Sequence, residues 1–85
     1  MRAEFEIRNL PSGLVMGFLK DAGGAQHGER AVHGAGWAAR LEAMPPAPLG
    51  PVSIRRDLLV IEGEDAAAVE RVVDFMRRSL MRGGG

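Results

Sequence analysis

The chain ends Arg82-Gly83-Gly84-Gly85. A run of terminal glycines has no side chains to obstruct a narrow active site, which is what C-terminal adenylation and thiocarboxylate formation require of a protein tail. In that chemistry Gly85 carries the activated carboxyl, Gly83 and Gly84 pass through the channel, and Arg82 is a charged anchor. A local account competes with it. Gly83 can end a helix, because glycine adopts the left-handed cap conformation without steric cost. The residues before the tail have helical rather than strand periodicity, which favours the helix stop.

Other groupings are weaker. His27 and His33 flank a glycine-containing stretch with Glu29 between them. Two imidazoles and one carboxylate fit no usual metal-ligand spacing, so exposed loop histidines are expected and no metal site is assigned. Gly23-Gly24-Ala25-Gln26-His27-Gly28 looks like a phosphate cradle but follows a helix instead of opening one, so it lacks the helix N-terminus that would meet an anion. Arg55-Arg56 and Arg77-Arg78-Arg82 would form an anion site if they converged, but Asp57, Glu62 and Asp74 would cancel much of its field. Ser12, Ser53 and Ser79 have no evident base partner, and no carboxylate pair is arranged for acid–base work. The expected protein has no catalytic residues and no cofactor.

Composition agrees. Eighty-five residues suit one domain, 1–85, with 83–85 as a glycine tail. Its core is modest, since a chain this short buries only about 60% of its unfolded surface. There is no cysteine, which excludes disulfides, thiolate metal sites and a Cys nucleophile. Eleven basic and eleven acidic residues balance to zero net charge, unlike the basic excess of nucleic-acid binders. No apolar run reaches the ~20 residues of a membrane span, and Met1-Arg2-Ala3-Glu4-Phe5-Glu6 does not read as a signal peptide. A cytoplasmic location is expected.

The elements that would position these residues follow from periodicity. Residues 2–8 alternate, with Ala3, Phe5 and Ile7 on one face and charges on the other, as in a half-buried strand. Pro11 opens a helix whose stripe is Leu14, Val15, Phe18, Leu19 and Ala22, and Gly23-Gly24 stops it. Gly13 and Gly17 suggest a close backbone approach on that helix. Residues 29–44 read as a hairpin about Gly34-Ala35-Gly36, despite the helical propensity of Ala38–Met44. Residues 45–51, rich in proline, read as a stiff extended connection. Val52–Glu62 is the longest strand. Asp65 caps a last helix with Val69, Val72, Val73, Met76 and Leu80 buried. The expected fold class is α+β, ordered β-α-β-β-β-α, an antiparallel sheet with two helices packed on one face.

That order, with the helix ending at Gly23-Gly24, the strand Val52-Ser53-Ile54, the run Ile61-Glu62-Gly63-Glu64 and the terminal Arg82-Gly83-Gly84-Gly85, resembles the C-terminal domain of the MoaD-related proteins of Thermus/Deinococcus-type bacteria. The resemblance covers roughly residues 5–85. It implies a TBP-like sheet and a setting beside sulfur-carrier or molybdopterin machinery. The ubiquitin-like carrier domain that precedes it in those proteins has no counterpart in this sequence.

The helix-free face of the sheet would show Ala38, Arg40, Glu42, Met44, Leu58 and Val60, an apolar spot rimmed by charge. Three expectations follow. The first is a non-enzymatic interaction module that binds itself, as a homodimer, or a protein of sulfur-transfer or molybdopterin metabolism through Ala38, Arg40, Met44, Leu58 and Val60. The second is a carrier activated at its glycine terminus. The third is a ligand or enzyme pocket between sheet and helices.

Overall fold

A computed structural model describes residues 1–83. The first strand, β1 (Arg2–Arg8), follows its alternation, with Phe5 and Ile7 turned to the core. It ends where Asn9 takes a left-handed conformation, φ 58°, that turns the chain out of the sheet. Pro11 precedes α1 (Ser12–Asp21) as an extended N-cap without a side-chain hydrogen bond. The buried stripe of α1 is Val15, Met16 and Leu19, with Phe18 and Ala22 partly buried and Leu14 exposed. Met16 therefore replaces Leu14 in the expected stripe, a rotation of the buried face by part of a turn. Gly23, at φ 107°, ends the helix as expected. Gly13 and Gly17 do not mark a close backbone approach, because a Cβ at either would meet nothing within 4 Å.

A two-residue strand, β2 (Ala25–Gln26), then pairs with β3 (Ala31–Gly34). It adds one strand to the expected order. The tight turn at Ala35-Gly36, with Gly36 at φ 82°, leads into β4 (Trp37–Leu49). Trp37, Ala39 and Leu41 enter the core, so burial overrides the helical propensity of this stretch. Trp37 packs so closely over Gly34 that a Cβ there would overlap its indole ring.

Residues 45–49 differ from the expected free connection. They continue β4 and pair with β5 (Val52–Glu62) through Ala47↔Ile54, Pro48↔Ser53 and Leu49↔Val52, after a register shift between Met44 and Ala47. Proline is compatible with this strand because β3 pairs with β4 only as far as Arg40 and Arg30 bonds Leu41 just beyond it, so past Leu41 that side of β4 is a free edge. Proline is tolerated where its missing N–H faces such an edge. Gly50-Pro51 forms the turn, with Gly50 at φ 59°. The result is a two-stranded arm. Thirteen strand residues at about 3.3 Å each match the 43 Å long axis of the molecule.

The sheet order is β1-β5-β4-β3-β2, antiparallel throughout. α2 (Ala66–Gly83) completes the fold. Asp65 caps it, accepting from the N–H groups of Ala67 and Ala68 at 3.1 and 3.2 Å. Val69, Val72, Val73 and Met76 of α2 meet Leu59 and Ile61 of β5 and the α1 stripe in one core. Both helices cover one sheet face, as expected for an α+β fold of this order. Among the described residues, no helix is long and apolar enough to cross a membrane.

Candidate functional site

The helix-free face is built by strand register. Antiparallel partners share a face, so Arg2, Glu4, Glu6 and Arg8 of β1 lie beside Glu62, Val60, Leu58 and Arg56 of β5. Ala38, Arg40, Glu42 and Met44 of β4 lie on the other flank. Ion pairs join these rows. Arg2 binds Glu4 at 2.8 Å and reaches Glu62 at 3.6 Å, and Arg40 binds Glu42 at 2.6 Å and also Glu62. Five charged side chains thus run across three strands. A second cluster has Glu6 between Arg56, at 2.7 Å, and Arg8, at 3.5 Å. The Arg56 hydrogen bond is the main reason that the Glu6 carboxyl lies below the usual carboxylate range. Bonds from Arg40 to Glu42 first, and then Glu62, hold its guanidinium above its ordinary value.

The five expected interface residues occupy this face, in three different settings. Val60 lies between Glu4 and Arg40 and is fully buried, although it stands outside the core beneath the helices. The long side chains flanking it account for that burial, since arginine stems cover apolar surface while their heads stay wet. Ala38, Met44 and Leu58 are half-buried. Arg40 is a network member rather than a free cation. Leu58 sits between Glu6 and Glu42, one from each cluster, and is the central apolar residue that a partner could reach.

The other candidates are dispersed. Arg82 is exposed near the end of α2, which runs through Gly83; Gly84 and Gly85 lie outside the described residues. His27 and His33 stack with ring centroids 4.3 Å apart, and no group of three or more metal-ligating side chains occurs among the described residues. Arg55 bonds Asp57, Arg56 bonds Glu6 and the Pro45 carbonyl, and Arg77 lies 5.8 Å from the centre of the Phe5 ring. A groove of about 470 Å³ lies beside Trp37, Val72 and Phe75, and its charged lining, Arg71, Asp74 and Arg78, is exposed. Nothing in it pairs a nucleophile with a base.

Two features escaped the sequence reading. Asp57 is almost fully buried, held by Arg30 at 2.8 Å and Arg55 at 3.2 Å, while Arg30 also donates to the Leu41 carbonyl. Its parity with Leu59 and Ile61 was the available signal, since that alternation puts it on the helix side of β5. The second is the arm beyond Met44 and Arg56, whose tip exposes Leu49 and Val52.

Comparison with curated proteins gives no match. A family model described as archaeal MoaD-like protein matches residues 3–85, nearly the whole chain. The match ties the protein to sulfur-carrier and molybdopterin biology in general, among proteins that are typically carriers rather than catalysts. The chain belongs to the archaeal MoaD-like family.

Proposed function

We propose that this chain is a non-enzymatic docking module of sulfur-carrier or molybdopterin-type machinery, cytoplasmic, with the helix-free sheet face as its contact surface. The supporting observation is Leu58, half-buried between two fixed Arg–Glu clusters on a face that no helix covers. Charges already held in place lose little side-chain freedom when a partner arrives, and they select its register more than they add affinity. The finer kinship, to the C-terminal domain of MoaD-related proteins, fits the same reading. That resemblance implies a TBP-like sheet beside a carrier domain.

The test is a titration of the protein against a sulfur carrier and its adenylating enzyme from the same source. Leu58→Glu places a third carboxylate between Glu6 and Glu42 and should weaken binding about tenfold or more, with an unchanged circular-dichroism spectrum. Equal binding by the variant would remove the sheet face from consideration.

A second reading has its own support, because the family match runs through Gly85. In it the terminal carboxylate is adenylated and takes up sulfur. An adenylating enzyme should then add AMP or a thiocarboxylate to the intact chain but not to one lacking Gly84-Gly85. No mass change with a competent enzyme would end that reading.

A further inference from the structure

β1 ends the sheet, and no strand lies beyond it among the described residues. Most devices that blunt an exposed edge are missing from it. Arg2–Arg8 holds no proline, and its register with β5 runs without a bulge from Arg2↔Glu62 to Arg8↔Arg56. By contrast, β2 at the other end of the sheet has two residues, and the free stretch of β4 holds Pro45, Pro46 and Pro48. Charge is the device that remains on β1, and it is already engaged. Arg2 is held by Glu4 and Glu62, and Glu6 by Arg56 and Arg8.

Alternation fixes which backbone groups are free. The Met1 ammonium donates to the Gly63 carbonyl at 2.9 Å, and the Gly63 N–H returns a bond of 3.1 Å to Met1. At the other end the Asn9 N–H donates to the Arg55 carbonyl. Odd-numbered residues of β1 therefore address β5, and Arg2, Glu4, Glu6 and Arg8 direct their N–H and C=O groups to the open side.

The same alternation sets the side chains of an added strand. Residues opposite Arg2, Glu4, Glu6 and Arg8 join the helix-free face, and those opposite Ala3, Phe5 and Ile7 turn to the helix side. There a groove of about 340 Å³ lies along the end of β1, lined by Glu6, Ile7, Arg8, Asn9, Leu10 and Leu80. A side chain opposite Ile7 enters it beside Leu10 and Leu80. The charges of β1 run basic, acidic, acidic, basic, the same in both directions. A second copy paired along the whole edge would set Arg2 against Arg8 and Glu4 against Glu6, and like charges directly opposite are unfavourable. The complement is an extended segment of different sequence, acidic at its two outer positions and basic at its two inner ones, with apolar residues between.

We propose that the outer edge of β1 accepts such a segment of another protein as a sixth, antiparallel strand. Backbone bonds supply the affinity, while the groove and the charge row select the sequence. This edge is separate from the face around Leu58, and its occupation does not depend on that face being a contact surface.

The probe is a capped peptide, Glu-Val-Lys-Val-Lys-Ala-Glu, titrated into the isotope-labelled full chain to about 2 mM and followed by amide NMR. Saturable shifts and slowed exchange should appear at the amides of Arg2, Glu4, Glu6 and Arg8. N-methylation of the lysine opposite Glu6 removes a bond to β1 and should weaken binding about tenfold or more. N-methylation of the valine opposite Ile7, whose N–H points away from β1, should leave it unchanged. Exchanging lysine and glutamate in the peptide should weaken binding about tenfold. In the protein, the Glu4 N–H points to the open side, so Glu4→Pro spares the ladder to β5 and should also weaken binding about tenfold or more. Should that variant fail to fold, the methylated peptides decide on the native chain. No saturable shift, shifts centred on Leu58 and Met44 instead of β1, equal loss with both methylated peptides, or equal binding of the charge-exchanged peptide would each overturn the proposal. So would a dimer of the free chain that Glu4→Pro abolishes, since a second copy would then own the edge.

Discussion

Asp57 and Glu6 are two carboxylates held by arginine under different conditions of burial. Asp57 is 2% exposed and anchors both Arg30 and Arg55 at the root of the arm. Asp57→Asn keeps the shape and removes the charge that strengthens both bonds, so it should cost about 2 kcal/mol in chemical denaturation. Glu6 is solvated, and its effect is one of titration. Its folded-state carboxyl lies below the ordinary value of 4.5, chiefly through Arg56. A lowered carboxyl contributes stability that is complete above that ordinary value and is lost as pH falls through the folded-state one. Arg56→Ala should therefore raise the Glu6 midpoint toward its ordinary value, followed by carboxyl NMR, and should flatten the acid limb of the stability curve. An unmoved midpoint would mean that the Arg56 bond is not held in solution.

At the scale of elements, caps and edges decide more than propensity does. Asp65→Ala removes the acceptor for two N–H groups at the start of α2 and should cost about 1 kcal/mol of stability by thermal or chemical unfolding. That cap was legible in the sequence, as were the alternation of β1, the glycine stop of α1 and the hairpin about Gly36, because each rests on neighbours along the chain. The face occupied by Leu58 and Arg40 was legible too, since it needs only parity. What could not be read was non-local. Whether Pro48 meets a partner or an open edge depends on how far β3 runs along β4. The burial of Val60 on the helix-free face depends on flanking side chains from β1 and β4. Met16 replaces Leu14 in the α1 stripe because periodicity gives the width of an apolar face, whereas tertiary packing fixes its rotation.

For the whole molecule, packing is concentrated at one end. The core lies under α1 and α2, while the arm carries paired backbone with little around it. Amide exchange should divide accordingly. Leu59, Val60 and Ile61, flanked by strands on both sides, should exchange only on global unfolding, and the arm amides at Ala47 and Ile54 should exchange through local opening. Comparable protection at both ends would show that the arm is an integral part of the folding unit.

The pairing of β1 with β5 also sets the order of events during synthesis. Arg2 finds its partner at Glu62 and Arg8 at Arg56, across nearly the whole length of the chain. The β4–β5 hairpin needs only a two-residue turn, so it can form early, whereas β1 must wait for that distant strand to be made. Through that interval β1 is an unpaired strand. Its charged row, Arg2, Glu4, Glu6 and Arg8, keeps one face soluble until β5 arrives. The side chains that hold the helix-free face in the finished protein thus also guard the nascent one against premature association.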